Sequence, residues 1–276
     1  MFCEGQTLKQ INGGNRMTQF KKGADALLGL EVSNEGGGNL NKRSFSKFGI
    51  GTSYKVRVMG PIDLMSYYGY NVFGKVSTFG AKNPSTLNKK GFVERNLTSW
   101  DKAAEYHAKL AQQAKESGNE KEEKAQKELA SKYRGSLRFI LGFIDLATGK
   151  ELLIDLSKPQ AQTVRTQILK YEKKLGKLAF ELTKTNATGN ARDTVVSLNP
   201  LIDFEEDLTP EEQANFKAQD GKEFDATLFD GIVYEADEKE MLQNLVTAGF
   251  NLALIGESLD GGASDDELPA EENFEF

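Results

Sequence analysis

The chain has 276 residues, enough for one or two domains with a substantial hydrophobic core. Its net charge of −6 hides an asymmetry: residues 1–198 carry 32 Lys and Arg against 19 Asp and Glu, a balance of +13, whereas residues 199–276 carry 3 against 22, a balance of −19. Cys3 and His107 are the only residues of their types, which argues against an intrachain disulfide and a Cys/His zinc site, and no apolar run approaches the roughly 20 residues of a membrane span.

The N-terminal third of the chain predicts a loose arm followed by strands. Residues 1–50 mix Gly, Asn, Ser and Lys and predict a loosely ordered basic arm. Alternation of Tyr54, Val56 and Val58 with polar residues predicts a half-buried strand. Residues 67–79 predict one longer strand that bends at its internal glycines, and residues 81–95 predict a basic loop.

The middle of the chain predicts a helical insert between strand hairpins. Residues 99–133 have helical periodicity with a break at Ser117-Gly118-Asn119, which predicts a helical hairpin. The helix after the break has mixed charges, which predicts a mostly solvent-exposed surface. Residues 136–144 and 151–156 predict a strand hairpin. Ser157 is a candidate cap for a helix over 158–175. A last strand hairpin is predicted over residues 178–185 and 194–198. This order predicts an α+β, mainly β fold: an OB-fold-like barrel over 51–200.

The C-terminal quarter is acidic. Residues 201–256 predict an acidic segment and a terminal helix that pack on the core, with a helix start at Thr209-Pro210. Residues 257–276 hold eight carboxylates and no cation, which predicts a disordered acidic tail. Disorder alone does not explain the terminal aromatic residues Phe274 and Phe276, which suggest a hook for a partner protein.

Nothing in the sequence favours catalysis. His107 lies in a predicted helix with no visible set of catalytic partners. Asp203, Glu205, Glu206 and Asp207 sit on one segment, whereas a two-metal site needs carboxylates that converge from different elements. We therefore expect a protein that is not an enzyme and that needs no cofactor.

The basic body has the composition of a single-strand-binding surface, which needs a cationic groove and aromatic faces for the bases. The residues predicted to contact single-stranded DNA are Lys55, Arg57, Tyr67, Tyr70, Phe73, Lys75, Phe79, Lys89, Lys90, Arg95, Arg134, Arg138, Lys184 and Arg192. The alternative is that the aromatic residues form the core and the cations a solvated surface.

Three stretches carry a resemblance to a known family: YKVRVM at 54–59, SKYRGSLRFILGFIDLATGKELLIDLS at 131–157, and the helix with the LAFELTKT and DTVVSLNPL stretches that follow. Through them, residues 54–200 resemble the T-even-phage type of single-stranded DNA-binding protein and its relatives in other tailed phages. Many members place Cys/His zinc ligands ahead of the lysine-rich helix. Trp100 occupies that region here, so we expect no zinc and packing around Trp100 instead.

The resemblance implies a protein that coats single-stranded DNA without sequence specificity during phage DNA replication, recombination or repair, in the cytoplasm of the infected bacterium. It implies cooperative self-association through the basic arm. The tail, through Asp265, Asp266, Glu267, Glu271, Glu272, Phe274 and Phe276, is expected to screen the groove and to recruit a replication polymerase, helicase or primase loader. A strand-annealing or recombination-mediating protein, and a virion or scaffold protein, remain alternatives.

Overall fold

The computed structural model describes residues 21–22, 45–88, 91–189 and 193–259, and within these ranges the chain forms one large sheet with five α-helices. The strands are β1 (Lys21–Lys22), β2 (Ser53–Arg57), β3 (Leu64–Val72), β4 (Val76–Ala81), β5 (Thr86–Leu87), β6 (Val93–Arg95), β7 (Ser136–Asp145), β8 (Glu151–Ser157), β9 (Phe180–Asn186), β10 (Thr194–Pro200) and β11 (Glu235–Ala236). The helices are α1 (Ser99–Glu116), α2 (Glu120–Tyr133), α3 (Lys158–Lys170), α4 (Pro210–Lys217) and α5 (Glu238–Ala248). No helix in these ranges is both long and apolar enough to cross a membrane.

The sheet is almost entirely antiparallel, in the order β10-β9-β2-β7-β3-β4-β11, with β8 also on β7 and β1 on β3. Only the short β11–β4 pair is parallel. Residues before β2 connect distant parts of the sheet, because Ser46 N–H donates to Leu153 O on β8 (2.9 Å) and Gly51 N–H donates to Lys184 O on β9 (2.8 Å). The fold is therefore α+β with a many-stranded sheet, and no strand pairing among the described residues closes that sheet into a barrel.

The single long strand expected over residues 67–79 is wrong, because the chain reverses there to form the β3–β4 hairpin. Lys75 N–H donates to Val72 O (3.0 Å), and Gly74 adopts a φ of +71°, which glycine adopts without strain. Tyr70 consequently lies opposite Phe79, so these two rings share a face. The expected basic loop at 81–95 also contains the two-stranded ribbon β5–β6.

The elements with strong local signals form as expected. Helices α1 and α2 make the predicted helical hairpin, and Thr98 caps α1 by accepting a hydrogen bond from Asp101 N–H. Ser157 caps α3 in a reciprocal capping box with Gln160. The β7–β8 turn places Gly149 at a φ of +68°. The helix start predicted at Thr209-Pro210 is confirmed by α4, whose N-cap is Thr209.

Both faces of the sheet are covered, and alternation along β7 shows how. Phe139, Leu141 and Phe143 point to a core shared with α3. Ile140 points the other way, into a cluster completed by four apolar side chains of the acidic segment, residues 201–256: Phe224, Phe229, Ile232 and Val233. A third cluster joins β3 and β4 to α1, α2 and α5. The acidic segment is thus a structural layer of the described body.

Trp100 is the centre of that third cluster. Its side chain is fully buried, and its indole N–H donates to Met241 O of α5 (2.9 Å). The ring centroid lies 5.3 Å from that of Phe79, 5.8 Å from that of Tyr70 and 6.1 Å from that of Tyr133. The predicted packing around Trp100 is confirmed, and it ties α1, α5 and the β3–β4 hairpin together.

Candidate nucleic-acid interface

Both predicted cations of β2 contact the acidic segment, although 35 % of the Lys55 side chain remains exposed. Lys55 Nζ lies 2.9 Å from Glu212 Oε2 and donates to Asp207 O at 2.7 Å. Burial alone would raise the pKa of Glu212, but the hydrogen bonds from Lys55 and from Thr209 N–H lower it below its ordinary value. Lys55 is therefore already paired with a carboxylate of the chain itself, and is not the open groove residue predicted.

Arg57 is more deeply buried than Lys55, with only 5 % of its surface exposed. Its guanidinium carbon lies 4.2 Å from the centroid of the Phe216 ring, its Nη1 donates to Phe216 O, and Nη1 is 2.7 Å from Asp220 Oδ1. The ring covers one face of the guanidinium group and the carboxylate pairs with Nη1, whereas the buried Nε has no hydrogen-bond partner among the described residues. The prediction of Arg57 as an exposed contact is wrong, because α4 lies over it.

Three of the aromatic residues predicted to stack on bases belong to the core. Tyr67, Tyr70 and Phe79 are each no more than 2 % exposed. The Tyr67 hydroxyl donates to Asp155 Oδ1 (3.0 Å) and the Tyr70 hydroxyl to Asp101 Oδ2 (2.5 Å), and burial raises the pKa of both hydroxyls well above their usual range. These rings offer no face to a base, so the alternative of core packing holds for them.

Arg138 and Lys184 have internal partners as well. Arg138 makes a two-pronged contact with Asp155, in which Nη2 lies 2.6 Å from Oδ2. Burial would lower the pKa of Arg138, but Asp155 more than compensates and raises it. Lys184 Nζ donates to Phe48 O at 3.0 Å, and burial, then the charge of Arg138, lowers its pKa. Asp155 therefore neutralises Arg138, whereas Lys184 is partly buried and uses one N–H donor on a backbone carbonyl.

Two hairpin tips keep an aromatic ring and a cation in solvent. The Phe73 side chain is 100 % exposed at the turn between β3 and β4, and Lys75 beside it is also exposed. In the second ribbon, Phe92 is 65 % exposed and Arg95 lies in the exposed strand β6. Sequence reasoning missed Phe92, although a glycine-phenylalanine pair inside a basic loop was a signal for an exposed ring at a turn.

The remaining predicted contacts divide between the surface and the undescribed parts of the chain. Arg134 is exposed where α2 ends. Lys89, Lys90 and Arg192 lie outside the described residues. So do all seven named tail residues: Asp265, Asp266, Glu267, Glu271, Glu272, Phe274 and Phe276. At the end of the described chain, Glu257 forms an ion pair with Lys102 of α1 (2.5 Å).

The residues weighed for catalysis have structural partners. His107 is buried between the rings of Tyr133 and Phe250, with centroid distances of 5.7 and 5.8 Å, and its Nδ1 is 2.6 Å from Gln126 Oε1. Asp203 Oδ1 accepts hydrogen bonds from the backbone N–H groups that follow it. In the described part of the chain, no group of three or more His, Cys, Asp or Glu side chains is placed to hold a metal ion.

No family model, curated protein or solved structure matches this chain. A functional assignment therefore depends on the surfaces that the fold leaves open. Those surfaces are the two hairpin tips and the exposed cations around the α1–α2 hairpin.

Proposed function

We propose that this chain is a single-stranded DNA-binding protein that acts in phage DNA replication, recombination or repair in the cytoplasm of the infected host. The observation that carries the proposal is the Phe73 ring, which is fully exposed at a hairpin tip beside Lys75. A ring in water contributes nothing to the core, whereas stacking one base on it is worth about 1–3 kcal/mol.

The contacts beneath the acidic segment support the same chemistry. The β2 face of the sheet binds carboxylates through Lys55 and Arg57, and it binds an aromatic ring through the guanidinium group of Arg57. Phosphates and bases present the same combination of anion and π-face. We also propose an OB-like architecture for residues 51–200, a fold that binds oligonucleotides, and the largely antiparallel sheet is compatible with it.

A second candidate is a protein that assembles with other proteins, either on a virion or scaffold or as a strand-annealing mediator. Exposed apolar side chains favour it, since Ile202 is 89 % exposed and Phe73 could equally enter a pocket on a partner. A pure assembly protein would have no affinity for oligonucleotides. An annealing protein would bind them and also accelerate the pairing of complementary strands.

Fluorescence anisotropy with labelled oligo-dT and a matched duplex, at two salt concentrations, tests the proposal. We expect preference for the single strand, and an affinity that falls with salt at a slope of about −0.7 per phosphate contacted. Phe73→Ala should weaken binding by about 5- to 150-fold, the equivalent of one stacked base. Ile202→Ala removes another exposed apolar side chain, outside both hairpins, and should leave affinity unchanged. If the wild-type protein does not bind oligo-dT, the proposal is rejected.

A further inference from the structure

The α1–α2 hairpin bears two adjoining depressions that the predicted groove did not include. One, of about 450 Å³, lies between the helices and is lined by Lys115 of α1 and by Lys127 and Arg134 at α2. The other, of about 420 Å³, lies along α2 and is lined by Lys124, Lys127 and Lys132. Lys127 borders both depressions, which are together named here the hairpin groove.

The floor of the hairpin groove explains why its cations stand at the rim. Ala111 and Ala130 are buried where the helices meet, and Ala108 is partly exposed beside them. Small side chains let two helices approach closely, so the long Lys and Arg side chains of both helices project past the contact. Cations from two separate helices therefore converge on the same trough.

Cations outnumber carboxylates in the lining of the hairpin groove. Five cations line it against two carboxylates, Glu123 and Glu128, and Glu123 is already paired with Lys127. Within the described residues, Lys115, Lys124 and Arg134 take part in no ion pair. Along α2, Glu120, Lys124, Glu128 and Lys132 follow one another at i,i+4 spacing, and Glu123 and Lys127 form an ion pair at the same spacing. Lys115, Lys124 and Arg134 are exposed, so an external anion can reach their N–H donors.

The hairpin groove is also connected to the exposed Phe73 tip. Lys132 Nζ donates to Ala248 O at the end of α5 (2.7 Å). A methyl group placed on the next residue, Gly249, would lie 3.7 Å from Lys75 Nζ. The C-terminal end of α5 therefore joins Lys75, two residues from Phe73, to the edge of the groove. The residues between Lys124 and Arg134 extend this cationic surface by about 15 Å along α2.

We propose that the hairpin groove binds the phosphodiester backbone of single-stranded DNA that continues from the Phe73 tip. This inference rests on the proposed function and adds to it a second contact region, made of phosphate contacts without base stacking. The strand would stack a base on Phe73, pass Lys75 and the end of α5, and lay its phosphates along Lys124, Lys127, Lys115 and Arg134.

The test compares two charge-neutralised proteins of equal net charge. Lys115→Gln/Lys124→Gln removes two groove cations that have no ion-pair partner, and Lys173→Gln/Lys174→Gln removes two exposed lysines after α3 that do not line the groove. Each is titrated with oligo-dT of about 6 and about 25 nucleotides, over the range of lengths that bracket one binding fold. Circular dichroism and thermal melting check that both variants fold.

For the long oligonucleotide, we expect the groove variant to lower the salt slope by about 1.4, the value for two lost phosphate contacts, and to weaken binding at low salt at least tenfold. The short oligonucleotide, which Phe73 and Lys75 suffice to hold, should lose less than twofold. The control variant should match the wild type at both lengths.

Each other outcome overturns the inference in a distinguishable way. If the long oligonucleotide binds the wild type and the groove variant equally, with the same slope, the groove is not a DNA contact, while Phe73→Ala still tests the proposed function. If the groove substitutions matter only in the presence of residues 260–276, the groove binds the chain's own acidic end instead. If the wild type binds neither oligonucleotide, the proposed function and this inference fall together.

Discussion

Replacement of Trp100 tests whether one buried indole holds the helical hairpin, α5 and the β3–β4 hairpin together. In Trp100→Phe, a smaller ring fills most of the site, but the hydrogen bond to Met241 O is lost. That carbonyl lies within α5 and keeps its intrahelical bond, so the loss is about 1 kcal/mol, with a further 1 kcal/mol or so for the vacated volume. We expect Trp100→Phe to reduce the free energy of unfolding by about 2 kcal/mol.

Trp100→Ala should cost more, because three aromatic neighbours lose a partner at centroid distances between 5.3 and 6.1 Å. Truncation of a fully buried Trp costs about 3–5 kcal/mol, a large share of the 5–15 kcal/mol that stabilises a typical domain. Urea denaturation followed by far-ultraviolet circular dichroism measures both variants, since the chain's only Trp is itself removed and fluorescence loses its probe. Leu254→Ala, at a side chain 43 % exposed, serves as the control and should change stability by less than about 0.5 kcal/mol.

The ordering of the three variants decides whether the reasoning holds. If Trp100→Ala costs no more than the Leu254→Ala control, the Trp100 cluster does not hold these elements together. If Trp100→Phe costs as much as Trp100→Ala, the hydrogen bond to α5 outweighs the ring packing, and the magnitudes above are wrong.

Two further substitutions test the layers around the sheet. Burial raises the pKa of Asp63 to about 6, whereas an unfolded chain has a value near 3.8, so stability present below pH 4 is lost as the pH rises to about 6. In urea titrations, Asp63→Asn should remove the dependence of stability on pH. At pH 7.5 it should raise the free energy of unfolding by about 1–2 kcal/mol, a value that allows for solvent screening of the partly exposed carboxylate. An unchanged pH profile would contradict this prediction. Gly142→Ala would place a methyl carbon 2.2 Å from Phe224 Cζ, so it should loosen the acidic segment and cost about 1–3 kcal/mol, while Gly176→Ala, with open space around its Cα, should not. Equal midpoints for these two variants would show that Phe224 does not pack on β7.

The sequence determined the elements whose signals are local. Periodicity and a Ser-Gly-Asn break define the α1–α2 hairpin, and a Thr-Gly-Lys turn defines β7–β8, both within a residue or two of their observed bounds. Ser157 caps α3 as predicted, but that helix ends at Lys170, five residues before the predicted end. The sequence also separated a basic body from an acidic C-terminal quarter. The local elements are predictable because hydrogen bonds and side-chain spacing within a few residues are enough to determine them.

Only the tertiary structure decided which surfaces remain open. Alternation along a strand shows which residues share a face, but not what covers that face. Lys55 and Arg57 satisfied the pattern of an exposed groove, yet Glu212, Phe216 and Asp220 lie over them. Those partners are more than 150 residues away along the chain.

The same limit explains why the hairpin groove was not foreseen. Along the sequence, the lysines of α2 look like one solvated helical face, because a single helix cannot reveal what its neighbour contributes. The trough appears only when two helices pack through Ala111 and Ala130 and bring Lys115 opposite Lys127. Charge composition is a property of the chain, whereas the convergence of charges is a property of its packing.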